Sequence, residues 1–266
     1  VAKVAESLGM KPEIIFAAPV ANDTEFPKAV REAMDRSDRT IFFSRLGDQV
    51  RFSLANGSKK AVMTYTIGLD YLAAPFACVD FSVMKKVHDA LLKLILGAKT
   101  YRLTGDCGTD LVSKIEPSHE DAVAEFALEL FPVMIFPPVV CRQMKGKLSI
   151  KHFITSSSTR AYDDSILILD EPIIATVEES RMVAFEGPAK LVDQLKAQLE
   201  RAAEMTGGDP YLINSWHTGI NPGTFYTQDP YEDLEKWGTV AYGSPRYTHL
   251  HAAGIDPGDV AFHAMD

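Results

Sequence analysis

Ala61-Val-Met-Thr-Tyr-Thr-Ile67, Phe81–Leu96 and Thr100-Tyr-Arg-Leu103 are the stretch on which the reading of the fold turns. The first is a short run of apolar, β-branched and aromatic residues, of strand length. The second, FSVMKKVHDALLKLIL, carries apolar residues at helical spacing and stops at Gly97. The third is strand-like again and runs into a turn at Gly105–Asp110. Strand, helix, strand is the pattern of a βαβ unit on a parallel sheet. Upstream the same alternation holds. Val1–Leu8 reads as the end of a helix, and Glu13–Ala18 (EIIFAA) as a buried strand. Pro27–Met34 has helical spacing after Thr24 and Glu25, and Arg39–Ser44 (RTIFFS) is another short strand.

Downstream the pattern changes. Leu148–Ile154, Ser165–Leu169, Ile173–Val177 and Arg181–Phe185 are short β-type runs separated by polar turns, among them Asp170-Glu-Pro172. Val177-Glu-Glu-Ser-Arg181 has the look of a hairpin. One clear helix follows, Ala189–Met205, ended by Gly207-Gly208. From Tyr211 onward Gly, Pro, aromatic and His residues crowd together with little regular periodicity. A boundary is expected around Phe131-Pro132 and Pro137-Pro138. The fold class expected is therefore α/β. Residues 1–135 would form a domain with a mostly parallel sheet and flanking helices, and residues 136–266 an α+β domain that carries the site.

Composition narrows the function. With 46% hydrophobic and 24% charged residues the 266-residue chain has the make-up of an ordinary folded protein. A net charge of −9 without any Lys/Arg-rich run argues against nucleic acid or an anionic membrane as partner. No apolar run reaches the roughly 18 residues of a membrane span. Cys78, Cys107 and Cys141 are odd in number and widely spaced, with no CxxC pair, so reduced thiols in a cytoplasmic protein are expected. The partners expected are a small-molecule substrate and further copies of the same chain.

Four of the seven histidines, His217, His249, His251 and His263, fall in the last fifty residues, together with Asp256, Asp259 and Asp266. Imidazole is the commonest side-chain metal ligand. In His249-Leu-His251 the two rings share a face if the segment is a strand, because strand side chains alternate with period 2. His217 heads Trp216-His-Thr-Gly-Ile-Asn-Pro-Gly223, a rigid turn sequence in a segment read as loop. The competing reading makes these histidines hydrogen-bonded structural residues. Two other candidates are weaker. Gly105-Asp-Cys-Gly-Thr-Asp110 lacks both the GxxxxGK[ST] lysine and GxGxxG spacing, although Cys107 with His119 as base would form a nucleophile pair. Ser156-Ser-Ser158 has no GxSxG elbow.

Gly108-Thr-Asp-Leu111, Phe185-Glu-Gly187, Gly219-Ile-Asn-Pro222, Gly238-Thr239, His249-Leu-His251 with Gly254, and Asp266 occur in an order that resembles the aminopeptidase T family of metallopeptidases and the related iron-dependent 2,5-dihydroxypyridine dioxygenases. The chain departs from the peptidase pattern in three places. Phe136-Pro-Pro-Val139 replaces a Gly-Glu pair, His217 stands near a second glutamate's place, and Ala264 breaks the closing His-x-Asp.

A two-metal hydrolase needs bridging carboxylates. Two or three histidines with one aspartate have instead the composition of a mononuclear 2-His-1-carboxylate Fe(II) site. The resemblance and the ligand types together imply a metal held by His217, by His249 or His251, and by Asp266, with His263 or the unused histidine of the pair moving protons and Arg246, Tyr242 and Tyr247 orienting an anionic substrate. The expected activity is Fe(II)-dependent ring opening of a hydroxylated aromatic or pyridine-type molecule. A zinc-type aminopeptidase or amidohydrolase is the first alternative, and a non-catalytic small-molecule-binding protein the second.

Overall fold

The structure is a computed structural model and describes residues 1–18, 20, 26–44, 46–47, 61–64, 68–115, 129–131, 138–156, 163–224, 226–254 and 260–263. The described residues form a mixed α/β fold with two sheets. The smaller is parallel, in the order β1 (Thr40–Phe42), β2 (Ala61–Thr64), β5 (Glu129–Phe131). Its own apolar cluster joins Phe42, Ala61 and Met63 to Phe26 and Val30, the latter on helix α2 (Lys28–Arg36), which follows helix α1 (Ala2–Ser7).

The EIIFAA run is not a strand. Residues 11–18 carry no regular structure, and Ile14 and Phe16 are 65% and 95% exposed. A β-forming run becomes a strand only where a neighbour supplies backbone partners. Here the described strands of the parallel sheet pair with one another.

After β2 the chain forms two single-turn helices, α3 (Leu69–Leu72) and α4 (Pro75–Cys78), and then α5 (Phe81–Gly97). Asp80 caps α5 by accepting a hydrogen bond from Val83 N–H at 3.0 Å. The next strand, β3 (Thr100–Thr104), does not return to the parallel sheet. It pairs antiparallel with β4 (Asp110–Lys114) across the Gly105–Thr109 turn, where Gly105 N–H bonds to Thr109 C=O and Gly108 takes φ +106°. A hairpin with so short a loop closes at little entropic cost, whereas a parallel return needs a long crossover. The sequence-level βαβ reading of residues 61–103 is corrected accordingly.

Among the described residues the larger sheet has nine strands. Its path runs β3–β4–β7–β12–β11–β10–β6, and β7 also pairs with β8, which pairs with β9. The members not yet introduced are β6 (Val139–Val140), β7 (Lys145–Ser156), β8 (Leu167–Glu178), β9 (Arg181–Glu186), β10 (Ile213–Thr218), β11 (Thr248–Ala252) and β12 (Val260–His263). These strands come from both sides of residue 135, and the pairings are antiparallel. The β8–β9 hairpin turns through Glu179 and Ser180, both at positive φ, as a two-residue turn requires. β8 runs through Asp170-Glu-Pro172, which the sequence suggested was a turn, as one strand with a register irregularity against β7 there.

Strand alternation gives the sheet two different faces. Leu148, Ile150, Ile154, Trp216 and Leu250 belong to one large apolar cluster with Val192, Leu195, Leu199 and Ala202 of helix α6 (Ala189–Thr206). That helix ends at Gly207 in the left-handed conformation, φ +74°. His217, His249 and His251 alternate with Trp216 and Leu250 and so belong to the opposite face. Phe153 packs there with Trp237 and Ala241 of helix α7 (Leu234–Ala241). Among the described residues no helix is long and apolar enough to cross a membrane, and the three cysteines are not joined in disulfides.

Candidate metal centre

Regular strands carry the histidines, a correction to the loop expected from the sequence. β10 and β11 run antiparallel, with Trp216 opposite Leu250 and His217 opposite His249. His251 lies two residues further along β11 on the same face, which sets it diagonal to His217. All three rings are buried, at 2%, 5% and 4% exposure. Their centroids are 5.1 Å (His217–His249), 5.0 Å (His217–His251) and 5.1 Å (His249–His251) apart. One nitrogen from each ring lies within 4.8 Å of the other two. No described carboxylate or thiol completes that cluster.

This donor set fits a divalent transition metal. Imidazole nitrogens bind such ions at about 2.0–2.1 Å, so two donors of one ion stand about 4.2 Å apart at most. The three nitrogens, all within 4.8 Å of one another, are close to such a spacing. The His217 and His249 planes are 5° from parallel, and a modest turn about χ2, a soft torsion in histidine, lets both lone pairs meet one point. With three protein nitrogens in place, an ion would keep open positions for substrate or water.

The turn after β10 fixes the strand end. Gly219 packs so closely that a Cβ there would lie 2.2 Å from Ser244 O and 2.3 Å from Gly243 C, so only glycine fits. Asn221 is fully buried. Its Nδ2 donates to Phe76 O at 3.0 Å, and its Oδ1 accepts from Gly223 N–H at 2.9 Å. The Gly-x-Asn-Pro turn thus ties β10 to α4. The Thr248 hydroxyl donates to Thr218 Oγ1 at 3.1 Å and links the paired strand ends beside the histidines.

An aromatic wall stands on the same face. The Tyr242 ring lies 4.3 Å from that of His249. Trp237 meets Tyr242, Tyr247 and Phe153 edge-on at 5.9, 5.4 and 5.2 Å. Trp237 and Phe153 were not singled out in the sequence. The signal was present in the apolar spacing of Leu234, Trp237, Val240 and Ala241 behind Asp233, whose carbonyl accepts from Trp237 N–H.

The other candidates are placed as follows. His263 stands at the register position opposite His249, on β12. Arg246 is exposed on the turn between α7 and β11, where its N–H donates to Ser244 Oγ. Cys107 sits in the β3–β4 turn, 3.9 Å from Thr109 Oγ1. His119, Asp256, Asp259, Asp266 and the Phe136-Pro137 segment lie outside the described residues.

No family model matches the chain, and no curated protein does. Among solved structures it is similar to 2,5-dihydroxypyridine dioxygenase from Pseudomonas putida KT2440, with a TM-score of 0.55 and 12% identity. The alignment covers 98% of this chain and 80% of that one. At this identity the shared property is the fold.

Proposed function

We propose that this chain is a metal-dependent enzyme whose ion is held by His217, His249 and His251, with Asp266 as a further, carboxylate ligand. We infer as its activity the Fe(II)-dependent ring cleavage of a hydroxylated aromatic or pyridine-type molecule by O₂. The observation that carries this reading is the convergence of three buried imidazoles on adjacent strands. The fold shared with a dioxygenase supports it. Ferrous iron bound there supplies the redox chemistry that joins O₂ to an electron-rich ring.

The protein's own residues do the rest. Neutral imidazoles and one carboxylate would leave the ion a net positive charge, which favours an anionic phenolate-type oxygen. Tyr242 packs on His249 and holds its ring. Trp237, buried among Phe153, Tyr242 and Tyr247, gives this face an apolar aromatic backing for a planar substrate. Arg246 and Tyr242 orient the substrate's anionic group, and His263 moves protons.

A second reading, a zinc-type aminopeptidase or amidohydrolase, is favoured by one observation. The described donors are three histidines without a carboxylate, a known ligand set of catalytic zinc. The two readings separate when metal-free protein receives Fe(II) or, in parallel, Zn(II) or Co(II). Oxygen uptake on catechols and pyridinediols is then followed beside aminoacyl-arylamide cleavage. We expect uptake with Fe(II) and no cleavage with any metal. Cleavage with zinc or cobalt and no uptake on any diol would reverse the assignment.

A further inference from the structure

A cavity of about 410 Å³ opens at an irregularity in the β7–β8 ladder, apart from the three-histidine cluster. Ile150 pairs with Ile173 and His152 with Leu169, so the three residues Asp170-Glu171-Pro172 stand against the single residue Lys151. Proline has no N–H to give the ladder, which suits it to such a bulge. Bulges re-aim side chains and are found beside binding sites. His152 adopts φ +67° here, in the middle of a strand, a conformation that disfavours a side chain. The polar lining consists of Lys151, His152, Asp170, Glu171 and Tyr231. The Tyr231 hydroxyl stands 3.4 Å from His152 Nδ1. Ile168, Leu169 and Pro172 supply the apolar part.

We propose that this cavity is a second binding site, for a small apolar-tailed zwitterion that carries one carboxylate and one ammonium group. The lining has both complements. Lys151 with the hydroxyl of Tyr231 and the imidazole of His152 offers hydrogen-bond donors to a carboxylate. Asp170 and Glu171 offer two anionic acceptors to an ammonium, and the aliphatic side chains receive a short hydrocarbon tail. A divalent cation is not the occupant the geometry favours. His152, Asp170 and Glu171 do not come together as a ligand cluster, whereas the three histidines do. The volume lies in the range of small-molecule sites, about 300–1,000 Å³. The nearest aromatic link to the metal centre runs from Tyr231 through Phe153, Trp237 and Tyr242 to His249. The two sites are therefore separate positions on the molecule.

Calorimetric titration of the full chain tests the site with three probes. These are L-leucine, 4-methylpentanoate (the same skeleton without the ammonium) and 3-methylbutylamine (without the carboxylate). Leucine is expected to bind at least about tenfold more tightly than either half-molecule, a margin of roughly 1.4 kcal/mol. Lys151→Met should weaken leucine and 4-methylpentanoate but not the amine. Asp170→Asn combined with Glu171→Gln should do the reverse. Thermal melts of both variants establish that they are folded, and leucine affinity should be the same in metal-stripped and metal-loaded protein. Equal binding of leucine and 4-methylpentanoate would reduce the cavity to a plain anion site and overturn the proposal. So would the absence of heat with all three probes, wild-type affinity in both variants, or loss of leucine binding on metal removal.

Discussion

His217 is the residue on which the metal centre depends most, because it alone of the three donors comes from β10. Replacing His217 with Ala should leave the sheet in place, since the opposite face is held by Trp216, Leu250 and α6. It removes one donor of three, and metal affinity is expected to fall by more than about a hundredfold, beyond what supporting residues cost. Melting curves with and without Zn(II) or Fe(II) report this directly. At about a hundredfold excess over Kd the ion should stabilise the wild-type chain by about 2.7 kcal/mol and His217→Ala by no more than about 0.4 kcal/mol. An equal metal-induced rise in both proteins would mean that the histidines are structural only. His249 and His251 were legible as a pair from their i, i+2 spacing, which decides the face once the segment is a strand. That His217 faces His249 was not legible, because the β10–β11 register is set across about thirty intervening residues.

At the scale of elements, the contact between β10 and the end of α7 is a glycine contact. Gly219→Ala forces a methyl group onto the backbone of residues 243–244 and should destabilise the chain by about 1–3 kcal/mol. It should also weaken metal binding, because the shift falls two residues from His217. Gly97→Ala, at the exposed last turn of α5, meets nothing within 4 Å and replaces a poor helix former. It should be neutral or stabilise by up to about 1 kcal/mol. Urea denaturation of the two variants gives both values, and equal effects would remove the argument from close packing. The strongest local signals survived in the structure. These are the run ending at Gly97, the helix ending at Gly207, and the two-residue turn at Glu179-Ser180. Each is decided within a few residues, by a cap or a φ preference. Two of the failures, EIIFAA as a strand and β3 as a parallel neighbour of β2, concern pairing, which no local residue specifies.

Over the whole molecule, pH acts through groups at the surface and at the edge of the core. Hydrogen bonds from the Ser82 hydroxyl and Val83 N–H hold the Asp80 carboxyl below its ordinary value. Lys85 and then His88 do the same for Asp89, Arg102 for Asp110, and Lys147 for Glu186. A carboxylate depressed on folding contributes stability that is present above its unfolded value and lost as pH falls through the folded one. Tyr211 behaves in the opposite sense. Burial, and then its hydrogen bond to Glu200, raise its phenol to about 12, and burial raises Tyr101 and Tyr71 as well. Their contribution is present below an ordinary tyrosine pKa of about 10 and is lost as pH rises beyond it. Through these groups the melting temperature of metal-free protein should fall on the acid side below the ordinary carboxylate range, and fall again above about pH 10. Added salt should flatten the acid arm, since these ion pairs are exposed. A melting temperature that climbs steadily from pH 5 down to pH 3 would contradict this assignment.

The amino-acid sequence by itself determined what short-range physics controls: the mixed α/β class, most helices and their ends, the hairpin at residues 178–181, and the shared face of His249 and His251. It also placed the chemically rich segment between His217 and His263. The tertiary structure alone decided that β3 leaves the parallel sheet and that the segment from Tyr211 onward is built of paired strands. It alone set His217 against His249, brought Trp237 and Tyr242 over that face, and opened the cavity beside His152. The physical reason is common to all of these. Strand pairing and side-chain convergence are relations between residues far apart in the chain, and they are settled by which backbone groups find partners and which faces can be buried together.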